Sequence, residues 1–138
     1  MAIMAMEGLE ELALDLEELA NMPVSVLDDM LNAGGEVLKK GQSKTAESML
    51  QGPYYAGGVA GGVALTKPRK HKDGRALFIT FKGFQHNNRL AEIAFVNEFG
   101  KKKQPPRPFI RTANEQHADE AISAEEKIYD DYLTRKGF

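Results

Sequence analysis

RLAEIAFVNEFGKKKQPPRPFIRTANEQ, residues 89–116, decides how the rest of the chain is read. An apolar run ends in Glu98, Phe99 and Gly100, passes three lysines and a proline-rich turn, and enters a helix. Within the run, Leu90, Glu92, Ala94 and Val96 alternate with Ala91, Ile93, Phe95 and Asn97. Both sets are mainly apolar, as in a strand covered on two faces, and a strand is the expectation. Ala, Glu and Leu also favour helix, so the helical alternative stays open. Gly100 permits a turn with positive φ. Pro105, Pro106 and Pro108 hold the next segment extended, and Phe109 and Ile110 return it to apolar surface. Thr112 with Glu115 has the spacing of a capping box, which places a helix start near 112.

Downstream, Ala118, Ala121, Ile122, Ile128, Tyr129, Tyr132 and Leu133 keep a period near 3.6. Arg135 and Lys136 suit the last turn of that helix, and Gly137 suits the position after it. Upstream, Asp73 and Gly74 form a turn pair. The run Leu77 to Phe81 is β-branched and aromatic, hence a strand. The stretch from Gly83 to Asn88 is turn-rich. The glycine-rich YYAGGVAGGVAL, residues 54–65, is expected to be a loop leading into a strand over 63–70. It lacks the Gly-Lys-Ser/Thr of a phosphate loop.

Two helices are expected near the start. Leu9, Leu12, Ala13, Leu16, Leu19 and Ala20 form one apolar stripe opposite a carboxylate face. After Pro23, Ser25 and Asp28 resemble a capping box, and a second helix runs to about Leu50, where Gln51, Gly52 and Pro53 stop it. Gly34 and Gly35 weaken its middle and suggest a bend. The sum is a single α+β domain over 1–138. Residues 1–52 form its helical region, 53–111 a glycine-rich loop and β-meander, and 112–138 the C-terminal helix. A small antiparallel sheet of three to four strands carries N-terminal helices and a long C-terminal helix on one side.

Composition narrows the function. With 138 residues, 42% of them apolar, the chain can bury a core without staples. It has no cysteine, so thiol chemistry and disulfides are excluded. No window approaches the roughly 20 apolar residues of a membrane span, and no signal peptide or membrane role is expected. His71, His86 and His117 lie in separate segments without ligand spacing, so no metal is expected. No nucleophile pattern surrounds the serines, and no catalytic residue or cofactor is assigned. Glu92 and Glu98, embedded in the apolar run, are expected to pair with Arg107 or Arg111.

Charge is segregated. Residues 1–38 hold nine acids and no Lys or Arg, residues 39–111 fifteen bases against four acids, and residues 112–138 seven acids against three bases. Such a chain can complement itself within one fold or between copies. The basic middle third, with Lys67, Arg69, Lys70, Lys72, Arg75 and Lys101 to Lys103 beside Phe84 and Phe99, also offers a phosphate-binding patch. A small nucleic-acid-binding module is therefore one reading, and an enzyme or toxin ranks last.

EIAFVNEFGKKKQPPRPFIRTA, residues 92–113, resembles the signature of the tail-completion, or head–tail joining, proteins of long-tailed bacteriophages and prophages. Glu98, Phe99, Gly100, Arg107, Pro108, Phe109, Arg111 and Ala113 carry the likeness. The order of elements agrees with it; the start of the first strand departs from it, where Thr-Gly, a leucine and a Ser-Ile pair are more usual. The resemblance implies a virion structural protein and no enzyme. It implies a homo-oligomeric ring, commonly six-fold, that meets tail-tube and head-connector proteins, with phage DNA passing through its lumen. It places the protein in the virion, and in the host cytoplasm during assembly. On this reading Glu98, Phe99, Gly100, Lys101, Lys102, Lys103, Arg107, Pro108, Phe109 and Arg111 form a protein–protein interface.

Overall fold

A computed structural model describes residues 22–51, 58–72 and 74–137 of the chain. The helix expected from the apolar stripe over 9–20 lies outside the described residues. Helix α1, Val24–Met49, follows Pro23, whose φ of −60° and ψ of 144° are extended. It ends where the Gln51-Gly52-Pro53 stop signal was read. The box expected from Ser25 and Asp28 does not form, for no side chain caps this helix. Asp28 is engaged elsewhere, accepting two hydrogen bonds from the Arg75 guanidinium at 2.9 and 2.8 Å. A bidentate charged pair of this kind outcompetes a local cap.

The helix runs through Gly34 and Gly35 without interruption. These glycines answer a packing demand. A methyl at Gly34 would collide with the Glu125 carboxylate, and one at Gly35 would meet Leu77 at 2.8 Å. One turn pair further on, a methyl at Gly41 would meet the His117 ring at 2.5 Å. Gly34 and Gly41, seven residues apart, therefore let the C-terminal helix lie close against α1.

The glycine-rich stretch departs from its expected loop. Its described part, Gly58–Gly62, is one helical turn, α2, with Val59 and Ala60 buried. Ser43 donates to the Ala60 carbonyl at 2.7 Å, and a methyl at Gly62 would meet the Lys82 carbonyl at 2.7 Å. The absent side chains let this turn be pressed into the core.

From there the chain makes a two-stranded antiparallel ribbon. Strand β1, Val63–Leu65, pairs with β4, Ile79–Phe81, and β2, Arg69–His71, pairs with β3, Gly74–Ala76. Thr66 joins the two ladders through Phe78, with its N–H on the Phe78 carbonyl and its hydroxyl accepting the Phe78 N–H. Residues 66–68 face only 77–78, so the register steps by one across the junction. His71 pairs with Gly74, and Asp73 of the expected turn pair lies outside the described residues. A second hairpin, β5 Phe84–Gln85 with β6 Asn88–Arg89, turns through His86 and Asn87, both at positive φ (51° and 68°), as a tight hairpin turn demands. The α+β class is as expected, but the single sheet of three to four strands is replaced by two-stranded ribbons.

The run that opened this reading is a helix: α3, Leu90–Phe99. Its buried residues, Leu90, Ala94, Asn97 and Glu98, follow helical spacing. Of the residues that imitated a second strand face, Asn97 is buried, Ala91 and Ile93 are half-buried, and Phe95 is exposed. The C-terminal helix α4, Phe109–Arg135, starts before the expected box. Thr112 already bonds back to the Pro108 carbonyl at 3.0 Å, inside the first turn. Its far end is as read, with Arg135 in the last turn and Gly137 at φ 91°.

α1 and α4 pack antiparallel, and each end of the pair has its own apolar cluster. At one end Phe109 sits among Ala46, Leu50, Val59, Ala60, Leu90 and Ala94; at the other, Met22 and Val26 meet Tyr132. Burial of this kind is the main source of stability for such a domain.

Candidate functional site: an anchored basic turn beside two exposed phenylalanines

The segment between α3 and α4 is ordered by a dense set of hydrogen bonds. Gly100 leaves α3 at φ 78°, and a methyl there would meet the Gln104 carbonyl at 2.9 Å and the Pro106 nitrogen at 2.8 Å. Only glycine tolerates both the angle and the proximity. Lys101 and Gln104 then exchange two backbone hydrogen bonds, each 2.9 Å, which places Lys102 and Lys103 at the tip of a tight turn. Lys101, Lys102 and Lys103 are all exposed.

Asn97 is the anchor of that turn. Its side-chain oxygen accepts from Gln104 Nε2 at 3.2 Å and from the Arg107 guanidinium at 2.6 Å. Its carbonyl accepts the Arg107 N–H, also at 2.6 Å, and its side-chain amide donates to the Ile93 carbonyl at 2.8 Å. Arg107 reaches on to the Gln51 carbonyl at 3.2 Å, tying the turn to the end of α1.

Pro108, at φ −77° and ψ 70°, forms the centre of an inverse γ-turn, closed by the Phe109 N–H on the Arg107 carbonyl at 2.8 Å. This turn aims Phe109 inward. Phe109 is fully buried and meets Phe81 edge-on at 5.8 Å. Glu98 completes the joint. One carboxylate oxygen accepts the Ile110 N–H at 2.8 Å and the other the Arg111 N–H at 3.0 Å. A buried carboxylate thus caps α4 from twelve residues upstream and faces the positive end of its dipole.

This corrects the expected pairing of Glu98 with Arg107 or Arg111: Glu98 takes backbone N–H groups, Arg107 takes Asn97, and the Arg111 side chain is exposed. Glu92 is exposed on α3 and belongs to no strand. Among the described residues Arg75 forms a salt bridge with Asp28, His117 Nδ1 lies 3.3 Å from Glu120, and none of the three lysines has an acidic partner.

The ten residues expected at an interface therefore divide by position. Phe99, Lys101, Lys102, Lys103 and Arg111 are exposed and available for contact. Glu98 and Phe109 are buried, while Gly100, Arg107 and Pro108 shape the turn. The sequence reading missed two participants. Phe95 lies one helical turn before Phe99, the rings 4.9 Å apart, and the two are 62% and 67% exposed. Their i, i+4 spacing was the available signal, hidden by the strand expectation. Asn97 carried no signal, since its partners lie across the turn. Phe84, offered as a stacking aromatic, is also strongly exposed, on the β5–β6 hairpin. Two exposed rings, three ammonium groups without an acidic partner among the described residues, and a shallow recess from Phe99 to Pro106 lie side by side on this surface. Among the described residues no group of three metal-ligating side chains converges, and no helix is long and apolar enough to cross a membrane.

Comparison of the chain with protein-family models, curated proteins and solved structures finds no match.

Proposed function

We propose that this chain is a structural protein of a phage neck or tail, a tail-completion or head–tail joining subunit that assembles as a ring around the DNA path. The observation that carries this reading is the surface around Phe95, Phe99 and Lys101 to Lys103. Two large apolar rings stand in water on a helix whose other face is core, beside a turn held rigid from both ends. Exposed aromatics on a preorganised element favour a protein partner, because little entropy remains to be lost on docking. The partners are further copies of the chain and the adjoining tube and connector proteins. The site is the virion, reached from the host cytoplasm.

A second reading, contact with nucleic acid, has one observation in its favour. On the long ribbon the exposed Arg69 guanidinium lies 5.8 Å from the Phe78 ring centre, and His71 meets the same ring edge-on at 5.5 Å. Cationic and aromatic groups so placed suit a phosphate backbone and stacked bases.

Deletion of the coding region from a phage or inducible prophage that carries it tests the first reading. Filled heads and free tails that fail to join are expected, with joining restored by the chain supplied in trans. Normal yields of joined particles would overturn it. DNA binding that weakens steeply with salt, in a chain dispensable for joining, would favour the second.

A further inference from the structure

The lysine turn and its two phenylalanines need a receiving surface, and α4 carries one of matching chemistry. Glu115, Asp119, Ile122, Glu126 and Asp130 follow one another at intervals of three to four residues on this helix, and all five are exposed. They form a single stripe on its solvent side. Ile122, 51% exposed, is the apolar centre of that stripe, with carboxylates before and after it. None of these four carboxylates has a cationic partner among the described residues. An acidic helix face by itself is simply solvated. What singles this one out is the isoleucine at its middle, opposite in pattern to a surface with aromatics at its centre and lysines at its rim.

We infer that the Phe95, Phe99 and Lys101–Lys103 surface of one copy docks on the Glu115–Asp130 stripe of α4 in a second copy. This rests on the ring reading above and names its contact. The two surfaces cannot meet within one chain. Ile122 lies thirteen residues beyond Phe109, roughly 20 Å along a helix that leads away from the turn and is packed along α1. Two different surfaces pairing between copies make a head-to-tail contact, which closes into a ring or continues as a filament. The other basic surface of the chain is less suited to this partner. On the ribbon Arg75 is spent on Asp28 and Arg69 lies over Phe78. Among the described residues the lysine turn has no such internal claim. Phe95 and Phe99 would cover Ile122, while Lys101 to Lys103 would meet Asp119, Glu126 and their neighbours. Glu92, exposed near Phe95, carries the same sign as the stripe and by repulsion sets the limit of the contact on that side.

The chain has no cysteine, so paired cysteines report the contact directly. Phe99→Cys and Ile122→Cys placed together on the full chain and mildly oxidised should give a ladder of covalent oligomers on a non-reducing gel. Each single variant should give at most a faint dimer. Reversal of Lys101, Lys102 and Lys103 to Glu should remove the ladder and weaken self-association in sedimentation by about tenfold or more. Adding Glu115→Lys, Asp119→Lys and Glu126→Lys to the reversed chain should restore both, which separates a lost contact from a damaged fold. No ladder beyond the single variants, or no rescue by the second reversal, overturns the proposed contact. If the chain nevertheless self-associates and still joins heads to tails, the ring reading stands and only this contact falls. If particles join without the chain, the ring reading itself has failed, whatever the gel shows.

Discussion

Removing the Glu98 carboxylate should unlock the joint between α3 and α4, and the size of the loss follows from its two hydrogen bonds. They are 2.8 and 3.0 Å long, come from consecutive N–H groups at the start of α4, and are made by a residue only 9% exposed. Hydrogen bonds to a charged group contribute about 1.5–3 kcal/mol each in a protected setting, and a helix cap about 1–2 kcal/mol. Arg111 is exposed and Ile110 half-buried, so water partly replaces the lost acceptor. Glu98→Ala should therefore cost about 2–3 kcal/mol, or roughly 6–12 °C in melting temperature for a domain of this size. Glu98→Gln keeps one acceptor and loses the charge facing the dipole, and should cost about half as much. Glu92→Ala, on the exposed side of the same helix, is the control and should shift stability by less than about 0.5 kcal/mol. Thermal and urea unfolding followed by circular dichroism give the magnitudes. Hydrogen exchange gives the location, with faster exchange at Ile110 and Arg111 before any other part of α4. A Glu98→Ala protein that melts within about 1 °C of the parent, or that keeps those amides protected, would refute the capping role.

Three further outcomes are expected. Phe109→Ala empties the best-packed site of the core and should cost about 3–5 kcal/mol in urea unfolding, with loss of cooperativity at that end of the helix pair. Gly100→Ala forces a side chain onto a backbone at φ 78° and against the Gln104 carbonyl; it should destabilise by about 1–3 kcal/mol and loosen the lysine turn in hydrogen exchange. Glu125, desolvated over Gly34, has its carboxyl pushed above the usual value of 4.5. A carboxyl raised in the folded state binds more protons folded than unfolded between the two pKa values, so stability should fall as pH rises through that window. The disadvantage is full at neutral pH, and Glu125→Gln should raise the melting temperature at pH 7 and flatten its dependence on pH near and above 4.5.

Much of the local structure was readable from short-range signals. The α1 stop after Met49, the turn at residues 86–87, the positive φ of Gly100, and the cationic, glycine-ended finish of α4 each depend on neighbouring residues, and each was found near its expected place. The same holds for Phe109, whose return to apolar surface follows from the prolines before it. What misled was always a residue whose role lies elsewhere in the fold. Residues 90–99 carry apolar side chains on two faces, and chain pattern cannot tell a second buried face from one left bare for a partner. The exposed pair Phe95 and Phe99 was obscured by the apolar pattern that suggested a strand.

The sequence by itself determined the α+β class, the long helices, the placement of turns and the segregation of charge, because helix periodicity, turn chemistry and proline geometry act over a few residues. Only the tertiary structure decided the rest. It set where α4 begins, because its cap comes from Glu98 and not from Thr112. It gave Gly34 and Gly41 their purpose, because the residues they admit, Glu125 and His117, lie far along the chain. It left Phe95 and Phe99 exposed, because α3 buries its other face against Phe109 and its neighbours and no element among the described residues covers the two rings.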